Sequence, residues 1–129
     1  SEAFGPIARR KAIIGAKFID DGAGGYVRAR TVADRIADQF AAALEGHDAL
    51  LAPTMPITAP EIGEWQLYAT DTDNVPLAYN TRPADLAGVP AVTIPWGRID
   101  GLPVGLQLVG PAFDDHELLG IARTLEQHG

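Results

Sequence analysis

The chain has no cysteine, one serine and two lysines among its 129 residues. Without cysteine there is no disulfide framework, no zinc site built on thiolates and no catalytic thiol. The serine, Ser1, is the first residue, and none of the threonines lies in a recognisable nucleophile motif. Because nucleophilic catalysis needs an activatable hydroxyl, thiol or amine beside a base, the sequence predicts no catalytic residue in this chain.

Positive charge is scarce as well, and the formal net charge is -7 at pH 7. The compact basic run at residues 9–11 lies inside a helical pattern and predicts a solvated helix face. Nucleic-acid binding depends on clustered Lys and Arg, so no nucleic-acid partner is expected. No apolar run approaches the roughly 20 residues that cross a bilayer, and no signal-peptide pattern opens the chain. We expect a cytoplasmic protein without a membrane partner.

Metal-binding patterns are also missing. The histidines at 47, 116 and 128 lie far apart in the sequence, and no H-E-x-x-H spacing occurs. The run Asp71–Asn74 begins like a calcium loop, but Pro76 stands where that loop requires glycine. The sequence therefore predicts no metal and no cofactor.

Apolar periodicity predicts three helices, and short apolar runs bounded by turn residues predict three strands. We expect helices at about residues 3–19, 26–45 and 114–127, and strands at about 48–53, 89–95 and 103–109. This order indicates an α/β arrangement. The run Ala91–Ile94 is apolar on both faces, which implies that the sheet is covered on both sides and continues into another part of the molecule.

Local turn and cap signals refine this outline. Asp100-Gly101 predicts a hairpin turn between the last two strands. Pro83 and Gly88 mark a short helical turn, and a capping box that starts at Asp114 predicts the start of the last helix. The chain begins without Met and enters a helical pattern at once, which favours a piece of a longer protein.

Three stretches resemble the C-terminal region of amidase signature enzymes. They are Asp48–Thr54 continuing to Glu64, similar to D-x-L-L-x-P-T-x-P; Asp85–Ala91 with Ile94–Gly97, similar to N-L-A-G-L-P-A and V-P-x-G; and Asp100–Gly110 running into Asp114. The opening Phe4-Gly5, Arg10 and Gly15 fit the family too. The resemblance therefore spans essentially the whole chain.

The resemblance implies an α/β/α fold with a mixed sheet flanked by helices, of which residues 1–129 are the C-terminal segment of a single domain. It also implies hydrolysis of a carboxamide to a carboxylate and ammonia by a serine nucleophile, a second serine and a lysine. In the family these residues lie upstream, in and before a Gly-Ser-rich stretch without a counterpart here. We therefore expect the missing N-terminal part of the amidase as partner, and an inactive isolated chain.

The segment of residues 79–85, a polar stretch before a short predicted helix, is the candidate wall of the substrate pocket for a small-molecule amide. Its candidate substrate-binding residues are Tyr79, Asn80, Arg82 and Asp85. A surface loop followed by a helix start is the alternative interpretation. Trp96 replaces the small residue of V-P-C-G. Narrowing a pocket and packing against the hairpin are the two alternatives for its side chain, and packing is favoured.

Substrate and assembly remain open at the level of the sequence. In the A subunit of the tRNA-dependent glutamine amidotransferase, an Arg in the first helix and an Asp before N-L-A-G hold glutamine. Lys11 and Ala78 stand at those positions here, although a one-residue shift restores Arg10, so a general amidase is favoured over a glutaminase. A non-catalytic interaction module that reuses this fold is the third alternative, and a homodimer is also open.

Overall fold

The computed structural model describes residues 22–63 and 76–128. The helix expected at residues 3–19 and most of the loop expected at 65–78 lie outside the described residues. The chain divides into two compact units, Ser1–Arg35 and Ile36–Gly129. The described strands and the two later helices all belong to the second unit.

Helix α1 spans Ala23–Leu44 and crosses the boundary between the units. It begins three residues earlier than the sequence predicts. Gly22, with φ 75°, forms the turn that precedes the helix, and Gly24 and Gly25 lie inside its first turn. The free-energy cost of glycine is small in the first turn of a helix, because the N–H groups there have no carbonyl partner within the helix. The helix ends as expected: Gly46 has φ 72°, and the His47 N–H donates to the Leu44 carbonyl at 2.9 Å.

Three antiparallel strands form the described sheet, in the order β1-β3-β2. They are β1 at Leu50–Pro53, β2 at Ala91–Ile99 and β3 at Leu102–Val109. The resemblance implies a mixed sheet, with parallel as well as antiparallel pairs, but both pairs among these strands are antiparallel. The prediction that the sheet continues elsewhere stays a prediction.

The β2–β3 hairpin confirms one local prediction and corrects another. Asp100 and Gly101 have φ values of 51° and 81°, as a two-residue hairpin turn of the primed kind requires. The strand expected at 89–95 instead runs to Ile99. Gly97, at φ 74°, makes an irregularity after Pro95, and pairing with β3 resumes at Arg98. The strand therefore continues through the irregularity at residues 96–97 instead of ending at Pro95.

Helix α3, Asp115–Glu126, packs on β2 and β3. The core joins Ile94 and Leu108 of the sheet to Leu118 and Ala122 of the helix. The predicted capping box is wrong in one respect, because the side chain of Asp114 makes no cap hydrogen bond. Asp114 has ψ 33°, outside the extended backbone that aims an N-cap oxygen at the first helical N–H groups.

Helix α2, Arg82–Ala87, matches the turn predicted between Pro83 and Gly88. Gly88 has φ 69°, and its N–H donates to the Ala84 carbonyl at 3.0 Å. Ala84 is buried and anchors this short helix. A 3₁₀ turn at Pro76–Ala78 precedes it, so the four candidate substrate-binding residues lie between the turn and the middle of α2.

Candidate functional site

The candidate site is the segment of residues 79–85, at the end of β1. The Asn80 side-chain amide donates to the Pro53 carbonyl at 2.7 Å, which ties the segment to the last residue of that strand. The Thr81 hydroxyl lies 3.5 Å from the Ala78 carbonyl, at the limit of a hydrogen bond. Asn80 is half-buried, so this predicted substrate residue already uses its side chain inside the protein.

The other predicted residues are held in place by the backbone and keep their side chains in solvent. Tyr79 is 73% exposed, and Arg82 and Asp85 are exposed in the first turn of α2. The Asp85 N–H donates to the Thr81 carbonyl at 3.3 Å. Within the described part of the chain, no hydrogen bond or ion pair engages these three side chains.

Gln107 is a residue that the sequence interpretation missed. It is 4% exposed in the middle of β3, and its side-chain amide donates to the Asn80 carbonyl at 3.1 Å. Its signal in the sequence is a single polar residue inside the apolar stretch Val104–Val109. A buried amide is costly unless it is hydrogen-bonded, so such a residue points to a specific partner.

A mostly apolar cavity of about 650 Å³ lies beside this segment, between the chain that follows β1 and the β2–β3 hairpin. Its wall includes Met55, Ile57, Leu77, Trp96 and Ile99. The size falls within the range of small-molecule sites, but such sites also place a few polar groups around the ligand, and few polar side chains line this wall. Trp96 lines this cavity and is 41% exposed, and its packing against the hairpin stays a prediction.

The backbone at Gly105, one of the residues that line this cavity, lies close to Thr54 and Thr93. The Thr54 N–H donates to the Gly105 carbonyl at 2.9 Å, and the Thr54 hydroxyl donates to that of Thr93 at 3.1 Å. A Cβ at Gly105 would lie 2.7 Å from the Thr93 methyl carbon and 2.9 Å from the Thr54 hydroxyl. The family-like G-L-P-V-G sequence thus has a steric requirement for its second glycine.

The described residues also bear on metal binding and on membrane insertion. Across residues 22–63 and 76–128, no three His, Cys, Asp or Glu side chains gather into a group able to hold a metal ion. No helix within those ranges combines the length and the apolar character that crossing a membrane requires.

Comparison with known proteins places these features in a family. Residues 1–119 match the family model described as Amidase. The A subunit of glutamyl-tRNA(Gln) amidotransferase from Desulforamulus reducens is 41% identical over 135 residues, covering 99% of this chain and 26% of the relative. The solved structure of the corresponding protein from Thermotoga maritima has a TM-score of 0.73 at 36% identity, over 98% of this chain and 28% of that chain. Native peptide amidase from Stenotrophomonas maltophilia has a TM-score of 0.60 at 35% identity, over 81% of this chain and 20% of that chain.

These matches agree with the motifs and with the fold. The chain spans about a quarter of the length of the curated relatives it matches. It corresponds to a C-terminal part of their α/β fold, and the family's catalytic serines and lysine have no counterpart in it. The chain belongs to the amidase family.

Proposed function

We propose that this chain is the C-terminal part of an amidase that hydrolyses a carboxamide to a carboxylate and ammonia. The observation that carries the proposal is the family match over residues 1–119, in a chain a quarter as long as its relatives. The nucleophile, its base and the oxyanion donors come from the upstream part of the polypeptide. This part supplies one wall of the substrate pocket.

The wall is the segment 79–85, through three side chains that have no partner among the described residues. The Asp85 carboxylate accepts hydrogen bonds from a substrate N–H, and the Arg82 guanidinium donates to a substrate oxygen. The Tyr79 phenol supplies both a flat apolar face and a hydroxyl. Their mixed chemistry suits a polar amide better than the apolar cavity does.

We assign the apolar cavity to packing against the upstream part of the same domain. An exposed apolar surface of this kind marks an interface, and Leu51 of the β1 edge is also 57% exposed. A second copy of the chain is the alternative cover, as in a homodimer. Light scattering on the longer protein tests the alternative, since cover by a second copy predicts a dimer and cover by the upstream part does not require one. We further propose a cytoplasmic location, because a chain without cysteine suits a reducing compartment.

Ammonia release from a panel of aliphatic and aromatic amides tests the proposal. The isolated chain and the natural longer protein are compared, with Asp85→Asn and Arg82→Ala in the longer protein as site variants. We expect activity only in the longer protein, with a higher KM in both variants. Activity in the isolated chain contradicts the proposal, and an inactive longer protein favours the non-catalytic interaction module.

A glutaminase of the amidotransferase A-subunit type is the second candidate, because the relative at 41% identity carries that name. Against it, Ala78 stands where the resemblance implies a carboxylate that holds glutamine, and Ala78 lies in the turn just before Tyr79. Lys11, the other diagnostic position, lies outside the described residues. Glutamine and simple amides compared side by side, with and without Ala78→Asp, separate the two: a glutaminase hydrolyses glutamine without the substitution.

A further inference from the structure

We propose that Gln107 and Asn80 are positioning residues whose two hydrogen bonds clamp the segment 79–85 onto the sheet, so that they orient the substrate wall without touching the substrate. The two bonds form a chain from β3 to β1: Gln107 amide to Asn80 carbonyl at 3.1 Å, and Asn80 amide to Pro53 carbonyl at 2.7 Å. The catalytic consequence of this clamp rests on the proposed function; the clamp itself does not.

The burial of Gln107 supports the first bond. Its strand neighbour Leu108 is fully buried, and a leucine or methionine at 107 would avoid the cost of removing an amide from water. A buried side-chain amide instead fixes one arrangement of its surroundings, because any other arrangement leaves the donor unpaired. The partner of this donor is a carbonyl of the candidate wall.

The strand register explains why Pro53 is free to accept the second bond. Pairs in an antiparallel ladder alternate between hydrogen-bonded and non-hydrogen-bonded. The Thr54 N–H donates to Gly105, so the preceding carbonyl, that of Pro53, points away from β3 toward the outer edge of β1. The Asn80 side-chain amide donates a hydrogen bond to that carbonyl. Asn80 therefore bonds to both strands: its side chain donates to Pro53 of β1, and its backbone carbonyl accepts from Gln107 of β3.

Helix α2 needs this support because it has only six residues, and an isolated helix of that length is not stable in water. The buried Ala84 holds its middle, and the clamp holds the chain that enters it. Leu77, on the other side of the clamp, lines the apolar cavity together with Pro53. The two hydrogen bonds therefore set the direction of Tyr79 and of the first turn of α2 relative to the sheet.

Amide hydrogen exchange and substrate preference in the longer natural protein test this inference. Asn80→Asp keeps the size of the side chain but replaces the donating amide with a carboxylate, and Gln107→Met removes the buried donor. Thr124→Ala is the matched control, because it removes a hydroxyl bond to the Gly120 carbonyl on the exposed face of α3. The readouts are exchange at the Asp85 and Gly88 amides, and kcat/KM for two amides that differ only far from the scissile bond.

We expect both clamp variants to speed exchange at these amides about five- to tenfold, and the control to leave it unchanged. We expect the ratio of the two kcat/KM values to shift by about tenfold, since a displaced wall affects the distal part of the substrate. Asn80 is half-buried, so its variant serves even where Gln107→Met lowers the yield of folded protein.

Two results overturn the inference separately. Unchanged exchange in both variants shows that the two bonds do not hold the segment. If exchange is faster but the ratio of the two kcat/KM values is unchanged, so that both amides lose activity equally, the hydrogen bonds stabilise the segment without positioning the substrate. If the unaltered protein hydrolyses no amide, the proposed function and the positioning role fail together, while the exchange data still decide whether the clamp exists.

Discussion

Gly105 gives the sharpest test of the packing described above. An alanine methyl there would lie 2.7 Å from the Thr93 methyl carbon and 2.9 Å from the Thr54 hydroxyl, closer than such atoms approach in proteins. Overpacking of this kind costs about 1–3 kcal/mol. The reduced backbone freedom of alanine in the unfolded chain offsets about 0.4–1 kcal/mol. We therefore expect Gly105→Ala to lower the free energy of unfolding by about 1–2 kcal/mol.

A second substitution tests the cause of that loss. Thr93→Ser removes the clashing methyl but keeps the hydroxyl that accepts from Thr54. We expect the double variant to recover about 1 kcal/mol relative to the sum of the two single changes. Urea unfolding measures this as a shift in the midpoint at constant slope.

Gly120→Ala is the control for the glycine substitution itself. Nothing lies within 4 Å of a Cβ at that position in α3, so alanine should raise the free energy of unfolding by about 0.5–1 kcal/mol. The steric argument is refuted if Gly105→Ala is as stable as the unaltered protein, or if Thr93→Ser restores nothing.

Three further predictions concern stability in the same urea assay. Leu118→Ala should cost about 2–5 kcal/mol, because Leu118 is 2% exposed and its removal leaves a cavity against Leu108; a loss below about 1 kcal/mol would contradict this core. Gly88→Ala should cost about 1–2 kcal/mol, because φ 69° is unfavourable for a residue with a Cβ; equal stability would mean that the α2 end adopts another conformation. Asp114→Ala should change stability by less than about 0.5 kcal/mol, since no cap hydrogen bond is lost, whereas a loss near 1 kcal/mol would restore the capping-box prediction.

The candidate site shows how far sequence reasoning reached. The sequence indicates the segment 79–85 as a polar stretch before a short helix, and its Tyr79, Arg82 and Asp85 side chains are exposed. Their role in binding stays a prediction. Asn80 belongs to the same predicted set, but its side-chain amide donates to a carbonyl 27 residues away in the sequence. No local pattern carries that information.

The sequence by itself determined the features that depend on backbone dihedrals within a few residues. Asp100-Gly101 and Gly88 must accept positive φ, and a proline fits the first turn of a helix, so the hairpin turn and α2 follow from residue type. Family membership was also readable, because it rests on strings of residues.

Only the tertiary structure decided the continuation of β2 past Pro95 and the pairing of Gln107 with Asn80. It also decided the contact that excludes a side chain at Gly105. Each of these joins residues far apart in the chain, and its energy depends on distances that exist only after the strands have paired. Local propensity and periodicity report what a segment can form, whereas packing selects which of its polar groups remain free for a substrate.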